Sequence, residues 1–475
     1  VGSGTHCKRP KDLIGNSGKG KEYAYRSYFG RVMYSYADRY LFQANIRHDG
    51  SSRFAKKHRW GTFPSFSAGW VLSEENFMKN LNWDWLSFLK IRATWGALGN
   101  ERIGDFPYMS TIAFGNTIFY QNNGIYFDQT ASQQKYAIEN VTWEKTESTD
   151  IGLDISFLNN RLRVNGDYYW KNTKDMLLAM AIPDFLGFSD PDVNAGKMST
   201  KGYELNVSWN DHIGDFSYGI AINFSDFTSK MGDLQGTQFL GDKVKMEGSE
   251  FNEWYGYVSD GLFLTEEDLK NSPKINDKNT QLGDIKYKDI SGPDGVPDGK
   301  ISPEYDRVLL GSSLPHFLYG GNINLGYKNF DLSLAFQGVG KQNARLAREM
   351  VEPFRNNYGN FPAIIDGNYW SPYNTDEQNA VAKYPRLTHV NKSSNYAMSD
   401  YWLFNGGYFR LKNITLGYTF PKEWMNAIGI KGARIYASAS DLFCLSKYPK
   451  GWDPEMGVSE YPITTSILLG VSVNF

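Results

Sequence analysis

The feature that most restricts the fold is an alternation of apolar and polar side chains that recurs in unusually long runs. Over 161–171, Leu162, Val164, Gly166, Tyr168 and Trp170 fall on one side; Arg161, Arg163, Asn165, Asp167, Tyr169 and Lys171 fall on the other. Over 40–49, Tyr40, Phe42, Ala44 and Ile46 oppose Gln43, Asn45, Arg47 and Asp49. The runs 203–210, 216–225 and 323–336 repeat the pattern. Such a period of two describes a β-strand with one apolar face. Strands in soluble domains usually have five or six residues, whereas a strand crossing a bilayer needs about 9 to 11. Several runs here reach the longer figure, and their apolar stripes carry Tyr, Trp or Phe near an end, as interfacial girdles require. A soluble sandwich would also alternate; length and aromatic placement favour the membrane.

Composition agrees. Mean hydropathy is −0.49, and no stretch approaches the roughly 18 apolar residues of a membrane helix. A barrel strand meets lipid at every second residue only, so its hydropathy stays low. A formal net charge of −2 gives no global field to draw in nucleic acid. Cys7 and Cys444 lie too far apart in sequence to form a disulfide framework and are expected to be free. The opening Val1-Gly2-Ser3-Gly4 has no apolar core of a leader, so an exported protein of this kind is expected to be processed or to extend upstream.

Connections fall into two lengths. Asn159-Asn160, Asp211-His212-Ile213-Gly214 and Lys328-Asn329 suit tight turns at a periplasmic rim. Segments near 100–145, 175–200, 228–315 and 340–405, rich in Asn, Gly, Asp, Pro and aromatics, suit extracellular loops. The pattern predicts about fourteen strands over 28–475, preceded by a loop-like 1–27. At the end of the chain, Ile467, Leu469, Val471, Val473 and Phe475 alternate with Leu468, Gly470, Ser472 and Asn474. Leu469, Val471, Val473 and the terminal Phe475 read as a barrel-assembly signal, because a barrel must pair its last strand to leave no open edge in lipid.

Several blocks carry a family resemblance: YSYADRYLFQANIRHDGSSRFAKKHRWGTFPSFSAGWVLSEENF over 34–77, LKIRATWGALGN over 89–100, WEKTESTDIGLD over 143–154, KGYELNVSW over 201–209, GDIKYKDI over 283–290 and YFRLKNITLGYTFP over 408–421. Together they resemble the SusC/RagA family of TonB-dependent outer-membrane transporters, over nearly the whole chain from about Tyr28. The resemblance implies an all-β, transmembrane antiparallel barrel of 22 strands with an internal plug. This chain would supply its C-terminal strands, about fourteen of them. It also implies a SusD-like lipoprotein over the barrel, energy from a TonB complex acting on an N-terminal region, and pairs of transporter and lipoprotein that can dimerise. The cargo would be glycan oligosaccharides or peptides. No plug or TonB box is visible in these residues; the remaining strands are expected from the same protein or from another chain. A passive porin and a soluble glycan-binding β protein are the rival readings.

Two sets of residues invite a functional role. The run from Asp289 to Asp306 contains Asp298-Gly299-Lys300-Ile301, which matches the middle of an EF-hand-type loop; Asp289, Ser291, Asp294, Asp298 and Asp306 could offer oxygens to a structural Ca²⁺. The family resemblance implies a compact acidic loop here, and the inserted Pro293–Pro297 stretch departs from it. A Pro/Gly turn with solvated carboxylates is the plainer reading. Second, Trp254, Tyr255, Tyr257, Trp370, Tyr373 and Trp402 lie in loop-like segments and could stack on a sugar or a peptide side chain, or simply pack the loops. The basic run Lys56-Lys57-His58-Arg59 suits a solvated loop tip or contact with anionic lipopolysaccharide. No His pair, nucleophile elbow, phosphate loop or dinucleotide fingerprint is present, so no enzyme is expected and no cofactor is required.

Overall fold

The computed structural model describes residues 20, 22–121, 124–133, 136–180, 182–236, 240–355, 361–456, 460–461 and 463–475. Cys7 and most of the loop-like 1–27 lie outside the described residues, and 25–27 of that segment are already strand; Cys444 is a free thiol.

The alternating runs form one thirteen-stranded sheet. Its strands are β1 Tyr25–Tyr36, β2 Tyr40–Ser51, β3 Trp60–Val71, β4 Leu86–Asn100, β5 Glu144–Phe157, β6 Leu162–Lys174, β7 Met198–Ile213, β8 Phe216–Met231, β9 His316–Tyr327, β10 Phe330–Lys341, β11 Tyr408–Thr419, β12 Gly432–Ser446 and β13 Ser466–Asn474. Each pairs antiparallel with the next in sequence. This is the meander of an up-and-down barrel wall, one strand short of the number the alternation suggests.

Register turns the period of two into two continuous surfaces. Ile91 pairs with Leu153, Leu153 with Gly166, Gly166 with Leu205, and Leu205 with Phe224. Farther along, Leu332 pairs with Leu416, Leu416 with Ala437, and Ala437 with Leu469. A slip of one residue at any of these strands would turn its apolar set to the opposite face. Large apolar side chains on this face are left uncovered: Phe42, Ile46, Ile91, Ile151 and Ile222 are all exposed. Among the described residues no second sheet or helix layer packs on them, which removes the soluble-sandwich reading.

Because consecutive strands are antiparallel, connections alternate between two rims. One rim has residues 37–39, 72–85, 158–161, 214–215, 328–329 and 420–431; the other has 52–59, 101–143, 175–197, 232–315, 342–407 and 447–465. The tight turns use left-handed backbone, at Asn159 (φ 57°), Gly214 (φ 57°) and Lys328 (φ 51°). The expected turn over 211–214 is shorter than its sequence suggests. Strand pairing continues through Asp211 and His212 to Ile213, opposite Phe216.

Aromatic rings line the short-turn rim. Tyr36 stacks on Tyr40, Tyr40 on Trp70, and Trp85 on Phe157. Glu75, between β3 and β4, accepts from Tyr40 Oη (2.6 Å), Trp70 Nε1 (3.0 Å) and Arg39 Nη1 (3.1 Å). These bonds, with Tyr40 and Trp70 leading, hold its carboxyl below the usual range. The ring tips are thereby satisfied while the ring bodies face the apolar side.

Candidate functional site

The opposite face of the sheet is polar. Gln43, Asn45, Arg47, Ser65, Ser67 and Thr94 line a concavity of about 580 Å³ on it. Farther along, Arg92 on β4 reaches Asp154 on β5 (3.2 Å) and Asp167 on β6 (2.7 Å), with Asp150 at 3.8 Å and Lys90 adding a longer pair to Asp154 (3.7 Å). A row of charges spanning three strands belongs in water or against a polar filling, never in hydrocarbon.

At the long-connection rim, 232–315 and 342–407 fold together. Tyr257, Leu262, Ile285, Tyr287, Ile301, Met350, Val351, Ile365, Tyr396 and Trp402 form a shared buried cluster, although they come from segments that are largely irregular. The centre of this cap is Asp284, fully buried. Its carboxylate accepts from Arg386 Nε (2.7 Å) and Nη2 (3.2 Å), Asn391 Nδ2 (2.8 Å), Asn395 Nδ2 (2.9 Å) and the backbone N–H of Gln281 (2.9 Å). A buried carboxylate is tolerated only when paired and hydrogen-bonded in this way. The bonds cross from one long connection to the other, so Asp284 latches the two. Burial pushes the phenol of Tyr287, beside this latch, well above its usual range. Glu352, nearly buried, would be raised by that burial, but Arg348 and then Lys392 outweigh it and hold the carboxyl below its usual range.

The aromatic residues singled out from sequence separate into two groups. Trp402 (1% exposed) donates Nε1–H to Asn395 O (2.9 Å), and Tyr257 (6% exposed) packs on Tyr287 at 5.3 Å. Both are core residues of the cap and cannot touch a ligand from solution, which corrects the expectation for them. Trp254 donates to Asn343 O (2.6 Å) and lies under Lys243, and Tyr255 lies under Arg307. Those two sit side by side on a short strand, Glu253–Tyr257, within the cap. Trp370 and Tyr373 remain available. They line a cleft of about 560 Å³ with Glu266, Gln281, Arg386 and Leu387. Trp370 lies over Gly283, where a side chain would meet its ring at 2.3 Å and the backbone takes φ 83°. Tyr373 is 96% exposed. Its loop is nonetheless fixed: Asn379 bonds both the N–H and the C=O of Ser371, and Thr375 closes a capping box with Gln378.

The carboxylates of the acidic loop bond largely to the loop's own backbone. Asp306 is fully buried and spends both oxygens on its own loop, accepting from the N–H groups of Ile290 (2.7 Å), Ser291 (3.2 Å) and Ser302 (2.7 Å). Asp289 accepts from Gly299 N–H (2.6 Å) and Asp298 from Lys300 N–H (3.0 Å), while Asp294 is exposed. Asp289 Oδ1 is buried with no hydrogen-bond partner. One orphaned oxygen is far from the six to eight that Ca²⁺ takes. Among the described residues, no three His, Cys, Asp or Glu side chains converge as a metal-ligand set. Asp289, Ser291, Asp294, Asp298 and Asp306 share one loop, in which Asp289, Asp298 and Asp306 accept from backbone N–H groups.

Sequence reasoning missed Asp284 and a second cluster on the polar face. There Arg410 on β11, 2% exposed, bonds Asp453, lies 2.7 Å from Glu455 and 3.6 Å from Asp441; Lys412 pairs with Asp441 at 2.7 Å. This network binds connection 447–465 to the wall, and Trp452 in the same connection packs against the cap cluster. The available signal was weak: the dense charges of 410–412 face those of 453–455 only after folding.

Comparison with known proteins places the chain. A family model described as TonB dependent receptor-like, beta-barrel, matches residues 9–442. TonB-dependent receptor SusC of Bacteroides thetaiotaomicron is 32% identical over 468 residues, covering 94% of this chain and 43% of SusC. TonB-dependent receptor P3 of Formosa agariphila is 31% identical over 453 residues, covering 90% of this chain and 42% of the relative. Among solved structures, the RagAB peptide transporter superposes with a TM-score of 0.76 at 23% identity, over 95% of this chain and 47% of that one; this is a likeness of fold. The chain thus spans less than half the length of the relatives it matches.

Proposed function

The chain belongs to the TonB-dependent receptor-like β-barrel family of the bacterial outer membrane, and from that premise we propose that it forms wall and cap of an active nutrient importer. The observation that carries this reading is one sheet with lipid-compatible side chains on one face and a polar, charge-lined concavity on the other, below a cap with its own core. The rim of long connections faces outward from the cell, and the rim of tight turns faces the periplasm. Leu469, Val471, Val473 and Phe475 lie on the exposed apolar face of the last strand, where an assembly machine could read them.

Cargo meets the cap first. The exposed ring of Tyr373, carried on a braced loop and lining the same cleft as Trp370, Glu266, Gln281 and Arg386, suits a sugar ring: flat stacking below and planar hydrogen-bonding groups at the edge. Oligosaccharide is the favoured cargo and peptide the second reading. A SusD-like surface lipoprotein would close over the cap, TonB would supply the energy through an N-terminal region, and two such pairs would associate. On this reading the work is binding and gated passage, without bond chemistry.

The test uses the full-length protein in cells. Uptake of a labelled oligosaccharide should require this gene and an intact TonB complex together. Flux of the same solute into liposomes holding the unenergised full-length protein would instead establish a passive porin and end the active-transport reading.

A further inference from the structure

The long-connection end of the apolar face carries charges that neither the cap nor the polar face uses. There β1, β2 and β3 contribute Tyr28, His48 and Trp60 to a stack. His48 and Trp60 lie 4.7 Å apart at 6°, and Tyr28 and Trp60 lie 6.0 Å apart at 21°. The Trp60 ring covers Gly50, where a Cβ would come within 2.8 Å of it, so the ring's position depends on that glycine. His48 Nδ1 is 2.9 Å from Thr62 Oγ1, which sets the imidazole plane.

Three cations lie on the same stretch of rim as this stack. Arg26 shares its face of β1 with Tyr28, and Lys56 and Lys57 lie in connection 52–59, just before Trp60. Ser52 N–H donates to Ala24 O (2.9 Å), which ties that connection to the start of β1 and brings the three to one stretch of rim. All three are exposed, and their side chains have no ion pair or hydrogen bond among the described residues. Of the carboxylates in this part of the chain, Asp49 pairs with Arg47, Asp105 with Arg53 and Glu101 accepts from Tyr23, while Glu22 is exposed ahead of β1. Farther from the rim on the same face come Val32, Ile46 and Phe66, all exposed. From rim to centre the order is therefore cation, flat ring, hydrocarbon-compatible side chain.

We propose that this patch binds the phosphate-bearing head group of an outer-leaflet glycolipid. Arg26, Lys56 and Lys57 meet the phosphate, the Tyr28–Trp60–His48 stack lies at head-group depth, and the acyl chains run down the apolar face. Unpaired cations at a membrane surface attract anionic lipid, and rings with polar edges prefer that depth. The patch lies on the lipid-facing side of the wall, away from the cap cleft, so a soluble cargo would not reach it. The inference rests on the outer-membrane placement of the sheet.

The test is direct binding of purified full-length protein, in nanodiscs of neutral phospholipid, to added lipid A, read by native mass spectrometry. Wild type should bind phosphorylated lipid A, and Lys56→Gln/Lys57→Gln should bind it roughly thirtyfold more weakly, from on the order of a factor of five per cation. Lipid A stripped of phosphate should bind wild type as weakly, and inorganic phosphate should not compete. Equal binding by the variant, or by the dephosphorylated lipid, overturns the proposal. So does full competition by inorganic phosphate, which would make this a site for a free anion. Membrane fractionation separates this from failure of the placement itself: if wild type were released without detergent, the underlying reading would fall, whatever the lipid result.

Discussion

Replacing Asp284 with Asn tests whether the two longest connections are one folded unit. The amide keeps the size of the carboxylate, but it cannot accept at both ends and carries no charge to offset Arg386. The side chain is fully buried and receives five hydrogen bonds, two of them from that guanidinium. Charged hydrogen bonds contribute about 1.5–3 kcal/mol each but do not add within one network. Loss of one partner of a buried ion pair costs about 3–5 kcal/mol, and that is the better bound. At about 1.4 kcal/mol per tenfold, opening of the cap should become on the order of a hundred- to a few thousandfold more frequent. Whole-protein melting would be dominated by the wall, so the assay is amide hydrogen exchange, read by peptide, on the full-length protein. Peptides from 253–310 and 384–402 should lose protection, while β7 and β8 stay protected. Asp284→Asn combined with Arg386→Met should recover much of the loss, because the stranded charge is gone. If exchange in both connections stayed at the wild-type rate, Asp284 would not be the latch and the cap would be held by apolar packing alone.

Three further outcomes follow from the same geometry. Arg410→Gln leaves Asp441, Asp453 and Glu455 with Lys412 as their remaining cation; connection 447–465 should be cleaved by protease at least tenfold faster, with the strands unaffected. Tyr373→Ala should leave cap stability within about 0.5 kcal/mol, since the ring is 96% exposed, yet should weaken oligosaccharide binding by about tenfold in titration calorimetry; unchanged affinity would move the cargo contact elsewhere. Glu352 has a depressed folded-state carboxyl, held by Arg348 and Lys392, so it stabilises the cap fully above the ordinary glutamate range, and that contribution is lost as pH falls through its folded value. Protection of 348–355, with exchange corrected for its intrinsic pH dependence, should therefore fall on acidification, and Glu352→Gln should flatten that fall.

How far the structure could be read from the sequence depends on periodicity. The wall was legible because a strand half in lipid must alternate, and residues such as 161–171 alternate over more than ten positions. Turn chemistry at Asn159-Asn160 and Lys328-Asn329 was equally plain. The turn after β7 was misplaced because Asp211 and His212 are polar enough to resemble a loop, yet they continue the ladder to Ile213. The cap was opaque for the opposite reason. Its core comes from irregular backbone, so Tyr257 and Trp402 carry no period to mark them as buried, and loop aromatics resemble binding residues until the fold is known. Asp306 was ambiguous for a related reason: an acid at the end of a Gly/Asp-rich loop can hold a cation or the loop's own N–H groups, and spacing does not distinguish these uses. The hairpin Ile112–Gln121 with Gly124–Gln133 sits in a segment whose composition predicts loop, and its strands pair with each other, apart from the wall.

The cap holds itself together through its own apolar cluster and an internal ionic clasp, and meets the wall through the strands that enter and leave it and through connection 447–465, which Arg410 ties to β11 and Trp452 to the cap. Substitutions that reshape its outer cleft need not disturb the membrane-facing registers, and changes in the wall need not reach the cleft. A lineage could thus retune what it captures while inheriting an unaltered anchorage in the bilayer, and grafting the two connections onto a relative's wall should transfer preference without rebuilding the pore.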